Sequence, residues 1–129
     1  DGAFNDTAVA RLYGYDYELI RSSKDLTNEM ESMITSAEIP YKRGIHWTTD
    51  AGYRETWGQV MDYRDKRALC VEMEGVGLFT IANYRKCVAT GIYVVSDVYS
   101  ENDWKLGWEG NDIKRAVGAV IDMIIESIR

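Results

Sequence analysis

Apolar positions recur along this chain with two periods, and the switches between them set out its elements. Leu26, Met30, Met33, Ile34 and Ala37 fall at helical spacing and predict a helix over 22–37, with Ser22 or Ser23 placed to cap it. Just after Pro40, the run YKRGIHWT at 41–48 predicts a strand. Trp57, Val60, Met61 and Arg64 recur at three and four and predict a helix over 54–66. The short apolar run ALCVE at 68–72 reads as a strand, and Val76, Phe79 and Ala82 or Asn83 predict a helix over 73–85. Residues 87–96, rich in Val, Ile and Tyr, predict a further strand ending at Ser96. A loop with Asn102, Asp103, Gly107 and Gly110 follows.

The last element has the widest apolar stripe. Ile113, Ala116, Val117, Val120, Ile121, Ile124, Ile125 and Ile128 share one face over about four helical turns, and Asn111 or Asp112 is placed to cap them. Near the start, Tyr13, Tyr15 and Tyr17 around Gly14 predict an irregular or strand-like connection over 9–20. Strand and helix in alternation imply an α/β fold: a mixed, mostly parallel central sheet flanked by helices. The opening Asp1-Gly2-Ala3 reads as the end of a strand, and the chain does not begin with Met. The expectation is a processed, cleaved or partial chain.

Candidate chemistry gathers where predicted strands end. Glu72, Met73 and Glu74 lie at a strand-to-helix junction, and Asp97 follows an apolar run. Open α/β sheets keep their ligands at the carboxyl ends of strands. A carboxylate there can grip a ribose diol, each charge-assisted hydrogen bond contributing about 1.5–3 kcal/mol. Each residue also has a plainer reading. Glu74 would suit a helix N-terminus by charge alone. Met73 would suit ordinary core packing. Glu72 is either a second ligand or a solvated strand-end residue. Asp97 is either an acid working on a base or a cap for the segment 98–112. A third cluster, His46 to Glu55, carries hydroxyls at Thr48 and Thr49, an acid at Asp50 and an aromatic at Tyr53 that could stack on a planar base. Thr48 and Thr49 could equally serve only to satisfy backbone groups at the turn. His46, the one histidine, has no Ser or Cys partner in sequence and reads as structural.

Composition narrows the classes. The length of 129 residues suits one compact domain, and 46% apolar residues suit a globular core. A net charge of −6 argues against a general affinity for nucleic acid or anionic membrane, though not against a local anion pocket. Cys70 and Cys87 lie in or beside apolar runs without metal-like spacing. They read as two buried thiols in a reducing, cytoplasmic setting, and no metal is expected. No apolar run is long enough to span a membrane as a helix.

Taken together, WTTDAGYRE at 47–55, VEMEG at 71–75 and VVSD at 94–97 resemble the nucleoside phosphorylase and nucleosidase superfamily. That superfamily holds the hexameric purine nucleoside phosphorylases, the uridine phosphorylases and the methylthioadenosine nucleosidases. The opening GAFNDTAVARLY is similar to the family's strand-and-loop segment before a Tyr, so the resemblance covers nearly the whole chain. It implies a phosphorylase-like three-layer sandwich. It implies that Met73 and Glu74 contact ribose, that Asp97 protonates or hydrogen-bonds the departing purine, and that Tyr53 and Ser96 lie by the base, with Glu72 and Asp50 as secondary site residues. No cofactor is implied, with phosphate as co-substrate in a phosphorylase.

The departures from the family pattern are informative. Only Lys105 offers a basic group over 98–110, where purine enzymes place one shortly after the Asp. Phe4 stands near where pyrimidine enzymes use an Arg, which favours a purine substrate. Gly52 replaces a bulkier residue and would open the base pocket. The family's Gly-containing phosphate loop, with its Arg and Ser or Thr, has no counterpart in 1–129. The chain is therefore expected to be the C-terminal part of one domain, completed by a missing N-terminal segment or second chain. A homo-oligomer, dimer or hexamer, is implied by resemblance. The expected activity is phosphorolysis of a nucleoside. A nucleosidase or a uridine phosphorylase-like enzyme is the enzymatic alternative. A non-catalytic nucleoside-binding module, or a plain α/β interaction domain, is the alternative of another class.

Overall fold

The computed structural model describes residues 1–100, the backbone of 103–106, and residues 110–128. These divide into two compact units, one of residues 1–28 and 43–91, the other of residues 29–42 and 92–129.

The first unit is built on a four-stranded sheet. Its strands are β1 (Gly2–Asp6), β2 (Leu19–Arg21), β3 (Ile45–Thr49) and β4 (Ala68–Glu72), in the order β2-β1-β3-β4. β1 pairs antiparallel with β2, while β1–β3 and β3–β4 are parallel. The sheet is thus mixed and mostly parallel, as the alternating pattern predicts. Gly2 at φ +150° lets β1 and β2 close up, since a Cβ there would sit 2.7 Å from the Ile20 carbonyl oxygen.

Alternation along the strands assigns a helix to each face. Ala3 is paired in register with His46, and Phe4 with Trp47. Ala3 belongs to the buried cluster with Ile20, Val76, Phe79 and Ala82, and the His46 ring lies edge-on to Phe79 at 5.9 Å. That face is covered by α4 (Gly75–Arg85). Phe4 and Trp47 point the other way. The Tyr63 ring of α3 (Trp57–Asp65) stacks on Trp47 at 4.3 Å and lies 5.7 Å from Phe4. Helix, sheet and helix make three layers.

Several boundaries differ from the sequence reading. Residues 9–20 contain a short helix, α1 (Val9–Leu12), before β2. The strand read over 41–48 begins only at Ile45. The helix read from residue 54 begins at Trp57, after a single turn at Gly52–Arg54, because Thr56 caps it by accepting the Gln59 amide. Ser23 precedes α2 (Lys24–Ser36), but its hydroxyl accepts the Ala89 amide instead of capping the helix. Cys70 is half-buried and Cys87 exposed, so only the first approaches the buried thiol expected.

The strand read over 87–96, which runs from the first unit into the second, is not formed as one. Strand-forming side chains make a strand only when a neighbour accepts the ladder, and residues 87–96 have no ladder partner among the described residues. Instead β5 (Asp97–Ser100) pairs antiparallel with β6 (Asp103–Leu106), inside the stretch read as loop. Asn102, Gly107 and the Lys105 side chain lie outside the described residues. The final helix, α5 (Asn111–Ser127), forms where the stripe predicts. Its cap position is Gly110, without a side-chain cap, and Asp112 pairs with Arg115. Met123 is its buried residue, while Val117, Ile121, Ile125 and Ile128 remain exposed. No helix among the described residues is long and apolar enough to cross a membrane.

Candidate functional site

The parallel register brings the carboxyl ends of β1, β3 and β4 to one edge of the sheet. Asp6 pairs with Thr49, and Thr48 with Glu72. Alternation then sorts the polar residues at that edge into two clusters, one per face.

On the α4 face lie His46, Thr48 and Glu72. Thr48 is fully buried, and its hydroxyl donates to Glu72 Oε1. The same hydroxyl oxygen accepts the Val76 amide at 3.1 Å. His46 Nε2 stands 3.3 Å from Glu72 Oε1, with both side chains buried. The second carboxylate oxygen, Oε2, accepts the amides of Glu74 at 2.8 Å and Gly75 at 2.7 Å. Glu72 therefore takes up donors at the start of α4, where the helix leaves its first amides without internal partners. Burial pushes its carboxyl upward in pKa. The close His46 ring and the hydrogen bonds from Thr48 and the two amides outweigh that and hold it below the ordinary value of 4.5. The solvated strand-end reading of Glu72 needs correction: its side chain is buried, and its oxygens accept three donors, with His46 Nε2 3.3 Å from Oε1.

Met73 and Glu74 project from the turn that Glu72 holds. Met73 is 52% exposed, which removes ordinary core packing as its role. Glu74 is exposed, and one of its oxygens accepts only the adjacent Met73 amide, at 3.3 Å. It occupies the cap position of α4 without making a side-chain cap bond, because Glu72 already accepts the amides there. A flexible thioether and a carboxylate thus stand together at the strand-to-helix junction, on a turn fixed from below.

On the α3 face, Asp6 Oδ2 accepts the Thr49 hydroxyl at 3.1 Å and the Gln59 side-chain amide at 3.0 Å. Asp50 Oδ2 accepts the Ala8 amide at 3.0 Å and so fixes the entry to α1. Tyr53, on the single turn before α3, is 96% exposed. In the second unit, Asp97 opens β5 and does not close a buried strand, for the reason given above. The Ser96 hydroxyl donates to Asp97 Oδ2 at 2.6 Å and orients that carboxylate.

The sequence reading named Glu72, Met73 and Glu74 but not what holds them. Asp6 was not singled out, and Thr48 and His46 were read as local or structural. A signal was present: His46 and Thr48 are polar at every second position of a strand, so both face one side. Their partner lies 24 and 26 residues away, which spacing alone does not reveal.

A family profile for the phosphorylase superfamily matches residues 1–126. The chain belongs to the phosphorylase superfamily. A DeoD-type purine nucleoside phosphorylase of an Exiguobacterium species is 32% identical over 87 residues, covering 67% of this chain and 36% of that relative. The solved P. knowlesi homologue of P. falciparum PNP superposes with a TM-score of 0.77 at 20% identity, over 98% of this chain and 50% of that one. That likeness establishes a phosphorylase-type fold. The chain spans half or less of the length of these phosphorylase-superfamily relatives.

Proposed function

We propose that the protein containing this chain cleaves the N-glycosidic bond of a purine nucleoside by phosphorolysis. The observation that carries this reading is the Met73–Glu74 turn. It stands exposed at the carboxyl end of a parallel strand, while Glu72 beneath it accepts the Glu74 and Gly75 amides and so holds it. A fixed, solvated carboxylate is free to accept both hydroxyls of a ribose, and the Met73 thioether offers an apolar surface to the sugar ring.

In the proposed reaction the C1′–N bond breaks as a phosphate oxygen bonds to C1′, giving ribose 1-phosphate and the free base. The bond's electron pair leaves with the base, and a proton delivered to the base neutralises it. Asp97, oriented by Ser96, is the proposed acid, and general acid catalysis of this kind contributes about 10²–10⁴-fold. Tyr53 and Ser96 are proposed to lie by the base, and Glu72 and Asp50 to act through positioning. The motif resemblance and the purine nucleoside phosphorylase relative support the purine preference. Phosphate is the proposed co-substrate, held by polypeptide beyond these residues, and a homo-oligomer in a reducing, cytoplasmic setting is part of the same proposal.

The test is the release of base from inosine by the complete protein, with and without phosphate. Phosphorolysis requires that turnover depend on phosphate and yield ribose 1-phosphate. Equal rates without phosphate would replace it by hydrolysis. An Asp97→Asn variant with unchanged turnover would remove Asp97 as the acid. If no nucleoside raises the melting temperature, the binding reading itself fails, since a ligand of the folded state must raise it.

A further inference from the structure

The opposite end of the same strands carries a feature that nucleoside cleavage does not use. β4 runs from Ala68 to Glu72, so its first residues lie roughly 13 Å from the Glu72 end. At this amino end is a cleft of about 670 Å³, within the size range of small-molecule sites. Four cations line it: Arg21, Lys24, Arg43 and Arg67. The only acid in the lining is Asp1.

Arg43 accounts for that acid. Its Nε and Nη2 contact Asp1 Oδ1 at 2.8 and 2.7 Å, and its Nη1 contacts Asn28 at 2.9 Å. Among the described residues no ion pair engages Arg21, Lys24 or Arg67. Three cations without an ion pair thus line a concavity of a chain whose net charge is −6. Lys24, the first residue of α2, and Ser22 just before that helix also line the cleft.

One wall is apolar. Gly44 has no side chain, and Leu69 lies over it, so that a Cβ there would sit 2.7 Å from Leu69 Cδ1. Leu69 is 50% exposed, offering a contact surface beside the cations. A basic centre beside an apolar wall fits an anion attached to an organic body. A nucleic acid is disfavoured, because the rest of the chain would repel a polyanion and the cations do not form a stripe.

We propose that this cleft binds an organic phosphate of nucleotide size carrying at least two negative charges, through Arg21, Lys24 and Arg67, with Leu69 against its organic part. Calorimetric titration of the complete protein with adenosine 5′-diphosphate and, separately, inorganic pyrophosphate tests it. Both bind saturably. An Arg21→Gln/Arg67→Gln double variant weakens both by about tenfold per arginine, the size expected of a charge-assisted hydrogen bond. Leu69→Ala weakens the nucleotide and spares pyrophosphate. Inosine cleavage stays unchanged in these variants, which separates this site from the nucleoside reading. The absence of saturable binding by either anion overturns the proposal. So does binding that the double variant leaves intact, since the anion would then sit elsewhere.

Discussion

Replacing Glu72 by Gln is the sharpest perturbation of the proposed site, because it keeps the shape and removes the charge. The carboxylate accepts the Thr48 hydroxyl and two amides and pairs with His46, from a side chain only 10% exposed. Gln offers one oxygen for donors that now occupy two, and its amide group faces donors. Losing the helix-start acceptor costs about 1 kcal/mol, and leaving a further buried donor unsatisfied costs about 1–3 kcal/mol. The expected loss is about 2–4 kcal/mol at pH 7. At about 3–5 °C per kcal/mol for a chain of this size, melting falls by roughly 6–20 °C.

The pH dependence gives the sign. Glu72 is held below its ordinary value of 4.5, so its charged form is the one stabilised by folding. That stabilisation is fully present above pH 4.5 and is lost as pH falls through the lower folded value. The gap between wild type and Glu72→Gln should therefore be full at pH 7 and narrow progressively below about pH 4.5. Urea denaturation of both proteins across pH 3–7 measures it. A gap that stays constant across this range, or no gap at pH 7, would refute the assignment of Glu72 as a charged anchor.

Thr48→Val removes the hydroxyl that joins Glu72 to the Val76 amide, so it should cost about 1–3 kcal/mol in the same denaturation assay. It should also raise amide exchange at Val76, and unchanged exchange there would sink the bridging role. Glu74→Ala, at an exposed position, should shift stability by no more than about 0.5 kcal/mol. The same variant should raise KM for inosine by about tenfold or more, and a normal KM would remove Glu74 from the ribose contact. Asp97→Asn should lower kcat by about 10²–10⁴-fold, measured in phosphate-saturated turnover.

What the sequence disclosed and what it withheld divide along physical lines. β4, α4 and α5 were legible because periodicity over their own residues sufficed. The α/β alternation and the Glu72-Met73-Glu74 junction were legible for the same reason. Residues 87–96 were misread because a strand depends on a partner that composition does not show. The short α1 and the β5–β6 ribbon escaped because four residues carry no period. Glu72 was visible as an acid at a junction, but its three donors come from β3 and from the start of α4. Only the parallel register brings β3 beside it.

Three helices end on a charged residue in the left-handed region: Glu38 at φ 55° after α2, Arg67 at φ 65° after α3 and Lys86 at φ 56° after α4. Glycine is the residue this conformation favours, and a side chain there costs about 1–2 kcal/mol. Each position is therefore a place where an engineer could exchange charge for robustness. At Glu38 and Lys86 a glycine should gain up to about 1 kcal/mol once its greater freedom in the unfolded chain is subtracted. At Arg67 the same exchange would erase one of the cleft's cations. A thermostability screen run without an anion would reward Arg67→Gly, and one run with saturating anion would reject it.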